Sequence, residues 1–344
     1  MKNPYLKKPL KPIEVKRKNI SQLLHEMSQT GFQGRKLGEA AKVWEQMLRE
    51  KNLLIVLGLA GSMSTAGMWK IICWLAEKRF FDVLVSTGAN ISEDILEAVG
   101  GKYWQGSPQV NDEDLLHKDV DRFYDVFASE LDYRKMEDCI AEFVKSLDKN
   151  ILSSREFLYE FGKWLLRRKI DCIVSTCAKK KIPIYSPALV DSAYGEAILL
   201  AKKKLVIDQV KDFEEFVRIG ERVKDVGVVY VGGGVPKDFT QLMAVSLGLI
   251  HPDGLSERKA QIQHGVEAVY PHKYAIQITT DSPQWGGLSG CTLEEAISWG
   301  KVNSKGKFVT CYCDATIALP LLVHALNEKN LRRKSFPDLS SIFK

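Results

Sequence analysis

No apolar run in this chain is long enough to cross a bilayer. The longest, near Leu53–Ala60 and Ile317–Leu326, fall well short of the roughly 20 residues a spanning helix needs. The lysines near the N-terminus are not followed by the apolar core of an export signal. Membrane contact is therefore not expected, and a cytoplasmic location is. The chain has seven cysteines, an odd number, scattered without metal-finger spacing, so neither a disulfide framework nor a zinc site is predicted. Of the seven (Cys73, Cys139, Cys172, Cys177, Cys291, Cys311 and Cys313), most sit in apolar segments, where a thiol acts as a small hydrophobe. There is no G-x-G-x-x-G, no internal repeat, and no linker-like stretch between Ile20 and Leu331.

What is present is an ordinary globular composition, 45% hydrophobic and 27% charged over 344 residues, enough for one large α/β domain or two smaller ones. The net charge of +6 is concentrated at one end. Lys2, Lys7, Lys8, Lys11, Lys16, Arg17 and Lys18 against Glu14 account for the whole excess, and the rest of the chain is neutral. With Pro4, Pro9 and Pro12 among them, residues 1–19 read as a basic solvated arm rather than a nucleic-acid site. Residues 20–335 read as a single domain, and 336–344 as a C-terminal tail.

Strands and helices alternate through that body. A helix over Gly38–Glu50 precedes a strand at Leu53–Leu57. The turn from Gly58 to Gly67 then leads to a helix over Met68–Ala76. Strand, small-residue turn and helix can set backbone N–H groups against a diphosphate, although close helix packing asks for small residues too. Asp82–Val85 is a second strand, ending in Ser86-Thr-Gly-Ala-Asn90 and a helix with Glu93 and Asp94. Gly100–Asp121 lacks periodicity and reads as an excursion. Helices are expected at Phe123–Leu147, Ser154–Arg168 and Ile173–Lys180. Strands are expected at Pro183–Ser186, Leu205–Asp208, Gly227–Val231, Ala275–Thr280 and Phe308–Cys313, with helices including Phe213–Val223 between them and a hairpin-like turn at Ser304–Gly306. The triple glycine from Gly232 to Gly234 implies close backbone approach, to a ligand or to a neighbouring strand. Asp314 is placed to cap a last helix that Pro320 would kink. This alternation predicts a doubly wound α/β fold with a mostly parallel, Rossmann-like sheet.

The most distinctive stretch is Thr292-Leu-Glu-Glu-Ala-Ile-Ser-Trp-Gly-Lys301. Thr292 and Glu295 have capping-box spacing, which would start a short helix at Leu293, and Gly300 allows the left-handed turn that ends it. Lys301 then stands directly behind Trp299. Enclosed by apolar neighbours, such a lysine would lose hydration and favour its neutral, nucleophilic form; otherwise it caps the last carbonyls of the helix.

Glu-Glu-Ala-Ile-Ser-Trp-Gly-Lys resembles the active-site segment of the deoxyhypusine synthase family. Ser186-Pro-Ala-Leu189 ahead of Asp191 is similar to another phrase of that family, and the resemblance spans residues 50–330. It implies an NAD site at Gly61, Ser62, Met63, Ser64, Thr65, Thr87, Gly88, Ala89, Glu93, Asp191, Gly234, Thr280, Asp314 and Ala315. It implies Lys301 as the catalytic nucleophile, Trp299 as an aromatic wall, and Glu93, Glu196 and Glu295 as anchors for the amines of spermidine. On residue type alone these glutamates are equally solvated helix faces. The resemblance also implies a homotetramer with sites formed between paired subunits.

Several positions depart from the family pattern. Ser92 stands where a second glutamate is usual, Glu196 replaces an aspartate, and Phe239, after Asp238, falls where a histidine contacts the substrate. Trp285 and Leu288 replace acidic residues. The expected activity is NAD-dependent transfer of the aminobutyl group of spermidine through a lysine imine to an amine acceptor such as putrescine. The alternatives are a true deoxyhypusine synthase acting on a lysine of translation factor 5A, with that protein as partner, and a catalytically silent NAD-binding paralogue.

Overall fold

The computed structural model describes Asn3, residues 5–247 and residues 270–343. Met1, Lys2 and Pro4 of the basic arm and Lys344 of the tail lie outside the described residues. Two helices, α1 (Ile20–Met27) and α2 (Phe32–Arg49), lead in, the first closed by a reciprocal capping box between Asn19 and Gln22. Two strand–helix units follow: β1 (Leu54–Leu59) with α3 (Trp69–Glu77), and β2 (Val83–Ser86) with α4 (Gly88–Ala98). Then come β3 (Tyr103–Gln105), α5 (Asp112–His117), β4 (Val120–Phe123) and β5 (Val126–Ser129). The middle of the chain holds α6 (Glu130–Ser146), β6 (Ile151–Leu152), α7 (Ser154–Arg167), α8 (Ile173–Lys180) and β7 (Ile184–Tyr185). After these are α9 (Ala193–Ala201), β8 (Val206–Ile207), α10 (Gln209–Gly220), β9 (Val226–Val231) and α11 (Gly234–Ser246). The last part supplies β10 (His272–Thr279), the short α12 (Glu295–Ser298), β11 (Val302–Tyr312) and α13 (Ala315–Glu328).

Six strands form the central sheet in the order β11-β10-β9-β1-β2-β7, every neighbouring pair parallel. β1 and β9 are buried along their whole length, as parallel strands covered on both faces must be. Alternate side chains divide between the faces. Ile55, Leu57 and Leu59 join a core with α2, α3, α7 and α8, while Leu54, Val56, Val228 and Tyr230 meet α10, α11 and α12. From β1 the chain goes to β2 on one side and later to β9 on the other. The carboxyl ends of β1 and β9 therefore bound the crevice where doubly wound sheets take ligands.

Four local expectations are corrected. Phe123–Leu147 is not one helix: Phe123 ends β4, Val126–Ser129 is β5, and α6 starts at Glu130. The aperiodic excursion is a small antiparallel sheet, β3-β5-β4, whose short strands carry too few residues to show alternation. The strand near Leu205–Asp208 stands apart from the central sheet and pairs β6 instead. Ser304–Gly306 is no hairpin; it is a bulge inside β11, where the register jumps between His272↔Val302 and Tyr274↔Lys307. Gly306 is required there, since a Cβ would come 2.6 Å from the Lys273 carbonyl oxygen. Asp314 does cap the last helix, accepting from the Thr316 N–H at 2.7 Å, and α13 continues past Pro320 to Glu328.

The amino end of the sheet is tied by Arg333, which has no exposed side-chain surface. It donates to Asp82 Oδ1 at 2.8 Å and to the Leu53 carbonyl, while Asp82 Oδ2 accepts the Ile55 N–H at 2.8 Å. Arg333→Ala strips a buried carboxylate of its main cation. We expect it to cost about 3–5 kcal/mol in urea unfolding; a loss below about 1 kcal/mol would show that Arg79, whose Nε lies 3.4 Å from Asp82 Oδ1, replaces it.

Candidate functional site at the carboxyl end of the sheet

The turn after β1 is held by one side chain, Asn90. Its amide N–H groups reach the carbonyls of Leu59, Ala60 and Gly61 at 3.3, 3.2 and 2.9 Å and the Thr87 hydroxyl at 2.7 Å, and its carbonyl accepts the Met63 N–H at 2.6 Å. Ser64 donates to the backbone carbonyl oxygen of Asn90 at 2.6 Å, and Thr87 donates to Gly61 O at 2.7 Å. The turns after β1 and β2 thus become one unit. Sequence reading passed over Asn90; its position two residues into a helix beside a small-residue turn was the available signal.

That unit leaves backbone N–H groups free to meet a ligand. α4 starts behind Thr87 and α11 behind Gly233, neither with a side-chain cap. Gly61 (φ +67°) and Gly234 (φ +56°) take conformations that disfavour a side chain, and nothing lies within 4 Å of where a Cβ would stand. An open glycine in the turn after β1 and another at the start of α11, beside the uncapped start of α4 at the switch point of the sheet, form a cradle of the kind that can take an anion. Gly88 has a different reason: a Cβ there would strike Ser192 Oγ at 2.3 Å.

Glu93 closes the floor of this unit. It is 7% exposed, accepts from the Ser62 hydroxyl and from the Tyr133 hydroxyl at 3.0 Å, and burial pushes its carboxyl up. Ser62 also shares a hydrogen bond with Thr65 at 2.8 Å. Asp191 and Thr280 are exposed beyond β7 and β10, and Asp314 with Ala315 begins α13 beyond β11.

The Gly232–Gly234 loop connects this cradle to Lys301. A Cβ on Gly232 would come 3.1 Å from the Ala60 side chain, and one on Gly233 would come 2.3 Å from Ser289 Cα. Gln277 donates to Gly232 O at 3.1 Å and Ser289 O at 2.8 Å. Lys237, in the first turn of α11 and wholly buried, donates to Gln277 Oε1 at 3.0 Å, to Leu288 O at 3.3 Å and to Cys291 O. Burial pushes the Lys237 amine down.

The next residue, Asp238, faces Lys301, with Oδ1 at 2.8 Å from Nζ and the lysine side chain 13% exposed. Of the settings considered for Lys301, the apolar enclosure does not form: its nitrogen meets a carboxylate. Phe239 points the other way, packed on Phe216, Phe213 and Tyr185 with ring centroids 4.9, 5.7 and 6.2 Å apart. Asp238 holds the position facing the lysine, and sequence reading had passed over it. Successive helix residues point about 100° apart, so neighbours in sequence need not share a site.

Lys301 Nζ lies 5.5 Å from the Trp299 ring centroid, and the indole is 66% exposed. Gly300 has φ +71°, as the turn requires, and Lys301 N–H bonds Ala296 O at 3.0 Å. The helix starts at Glu295 rather than Leu293, and the capping box is half made: Thr292 Oγ1 accepts the Glu295 N–H at 3.0 Å, whereas the Glu295 carboxylate lies by the Cys291 thiol. Glu196 does not join this group. It is exposed on α9, opposite Glu137 and near Arg134.

Two outcomes follow from this geometry. Asn90→Ala removes the donor to the Ala60 carbonyl and the acceptor of the Met63 N–H, leaving Leu59 O and Gly61 O only their bonds from Thr87, so it should lower stability by about 1–3 kcal/mol in denaturant melts; no change would mean that water serves as well. Asp94, wholly buried with Oδ2 accepting the Ile173 N–H at 2.6 Å, is pushed up to about 7, chiefly by burial. The folded chain binds this proton more tightly than the unfolded chain, whose carboxyl titrates near 4. Its stabilisation is full below that value and is lost as pH rises through about 7. Between about pH 5 and 8 the wild type should lose stability relative to Asp94→Asn in parallel urea melts, and equal slopes would refute the assignment.

Similarity to known proteins agrees with this geometry. The family model for deoxyhypusine synthase matches residues 22–326. "Probable deoxyhypusine synthase 2" of Methanosarcina mazei is 46% identical over 332 residues, covering 95% of this chain and 92% of that protein. The protein of the same name from Archaeoglobus fulgidus is 48% identical over 311 residues, covering 90% and 98%. "Deoxyhypusine synthase-like protein" of Chlorobaculum tepidum is 36% identical over 335 residues, covering 95% and 91%. A crystal structure of an Entamoeba histolytica protein assigned to deoxyhypusine synthase shares the fold, with TM-score 0.59 at 17% identity over 92% of this chain and 95% of that one. With its parallel sheet, its glycine cradle and its Trp299-Gly-Lys301 turn, the chain belongs to the deoxyhypusine synthase family.

Proposed function

We propose that this chain is an NAD-dependent aminobutyltransferase that carries the aminobutyl group of spermidine on Lys301 and delivers it to an amine acceptor. The observation that carries this reading is the Lys301–Asp238 pair at 2.8 Å beside Trp299. A lysine nucleophile must lose a proton before it attacks, and a carboxylate at hydrogen-bond distance is placed to take it. The half-buried setting keeps water scarce around an imine.

The cradle fits a dinucleotide. Gly61–Thr65, Thr87–Ala89 and Gly234 would hold its diphosphate at two uncapped helix starts, with Glu93, Asp191, Thr280, Asp314 and Ala315 around them. NAD, when bound, supplies a hydride acceptor for amine oxidation and returns the hydride later, so no net redox change results. Lys301 adds to the carbon of the oxidised amine, 1,3-diaminopropane leaves with its own nitrogen, and the acceptor amine displaces Lys301 in the same way. Glu295 stands ready for a cationic amine, and Trp299 offers a wall for the methylene chain. The exposure of Trp299 (66%) and Trp285 (73%) in a single chain suits a homotetramer whose sites are completed by a neighbour.

The acceptor we favour is a diamine such as putrescine. Ser92, Trp285 and Leu288 remove acidic groups from the family pattern, and Asp238 rather than an imidazole faces the lysine. A protein lysine as acceptor is the second reading, favoured by the names of the archaeal relatives. A silent NAD-binding role is disfavoured by the ion pair kept at Lys301.

Incubation with NAD and spermidine, borohydride trapping and mass spectrometry should show a butylamine adduct on Lys301. Putrescine should discharge it and yield homospermidine. Lys301→Ala should give no adduct, and Asp238→Asn should slow its formation by about a hundredfold. An intact adduct in Lys301→Ala, or none in the wild type, would overturn the assignment.

A further inference from the structure

Behind the Lys301–Asp238 pair lies a polar group that the site described so far leaves unused. Tyr230 of β9 is wholly buried on the face of the sheet that α11 covers, in one cluster with Phe239 and Met243 of that helix. Its ring is held close to β1 and to the first turn of α11: a Cβ on Gly58 would come 2.8 Å from Tyr230 Cδ1 and 3.5 Å from the Pro236 carbonyl oxygen. The hydroxyl at the end of that ring has no hydrogen-bond partner among the described residues. The charge that acts on it is that of Asp238, two residues after Pro236. Burial and that carboxylate push the phenol up, so it keeps its proton and remains a donor.

A buried hydroxyl without a partner is rare, because its lost hydration goes uncompensated. The other polar neighbours of the pair are occupied or neutral. Lys237 already gives its ammonium to Gln277 Oε1 and to the Leu288 and Cys291 carbonyls. His272, whose backbone N–H bonds Lys301 O at 3.0 Å, is wholly buried, and burial with the Lys301 charge pushes its imidazole down to about 3. Tyr230 is thus an unused donor beside the carboxylate.

The need for such a donor arises when Lys301 is loaded. At rest its ammonium turns three N–H donors toward Asp238. In the transfer, Nζ bonds the carbon of the oxidised amine, and the bond from that carbon to the nitrogen of 1,3-diaminopropane breaks. That nitrogen leaves with the electron pair and with the two hydrogens that Lys301 gives up, which Asp238 is placed to pass on before it returns to a carboxylate. The loaded nitrogen keeps a single N–H, fixed in the plane of the C=N bond. Asp238 then faces one rigid donor where it had three rotatable ones.

We propose that Tyr230 is a positioning residue for the transfer: its hydroxyl donates to Asp238 while Lys301 carries the aminobutyl group, and so holds the carboxylate ready for the arriving acceptor amine. The inference rests on the reading of the chain as an aminobutyltransferase. With 35% of its side chain exposed, Asp238 has room to turn from one partner to the other.

The test uses the full chain with NAD and spermidine, no acceptor, and borohydride trapping of the Lys301 adduct. Tyr230→Phe removes the hydroxyl and keeps the ring. Its urea midpoint should equal or exceed that of the wild type, because an unpartnered buried group is removed. The 1,3-diaminopropane concentration that halves the adduct should nevertheless fall about ten- to a hundredfold, since the loaded state has lost a hydrogen bond to a charged group. NAD affinity should be kept. Asp238→Ala leaves the hydroxyl no carboxylate to meet, so adding Tyr230→Phe to it should move the same concentration less than about twofold. An equal fall in both backgrounds would be a packing effect independent of Asp238, and a midpoint well below wild type would show a hydroxyl already bonded at rest; either result overturns the proposal. If the wild type forms the adduct and Tyr230→Phe matches it, only the role of Tyr230 falls. A wild type that forms no adduct overturns that role and the transferase reading together.

Discussion

The Lys237 ammonium is the contact on which the site depends. Buried completely, it loses the hydration that an ammonium needs, and burial pulls its proton affinity down. Three oxygens compensate: Gln277 Oε1 from β10 and the carbonyls of Leu288 and Cys291 from the loop before α12. One side chain on α11 thereby fixes the loop that leads to Trp299 and Lys301. Because Asp238 is the next residue, the same bond sets the direction from which a carboxylate meets Lys301. Gln277 extends the brace, since its amide holds Gly232 O and Ser289 O.

A second brace works at the other side of the crevice. Asn90 gathers the ends of β1 and β2 with one amide, so the turn at Gly61–Thr65 is held from behind and keeps its front open. The two braces meet at the triple glycine, where the backbone passes against Ala60 and Ser289. Glycine is needed there for approach, and at Gly61 and Gly234 for conformation. Buried side chains thus stiffen the crevice from within while the turns at its mouth stay open at Gly61 and Gly234.

Charge is distributed on the same plan. Glu93, Asp94, Glu137 and Lys237 are all buried, each against named partners, and every one is displaced from its ordinary protonation behaviour by loss of water. Lys301 and Asp238 remain partly open to solvent and neutralise one another. Groups that support the site are sealed in the interior, while the group that would do chemistry stays reachable.

The sequence by itself determined the strand–helix alternation, the parallel sheet, the glycine turns and the address of Lys301. These are local matters: apolar runs of strand length, small residues where the backbone must turn, and a Trp-Gly-Lys phrase whose geometry follows from a left-handed glycine. Short strands such as Tyr103–Gln105 and Ile151–Leu152 escaped, because two or three residues carry no period, and for the expected strand at Val206–Ile207 it was the partner, far along the chain, that could not be read. Only the tertiary structure decided that Asp238 faces Lys301 while Phe239 enters the core, that Asn90 ties two turns together, and that Glu196 meets Glu137. Each of those depends on which way a helix is rotated when it packs, and that rotation is set by the whole buried face rather than by the residues that end up at the site.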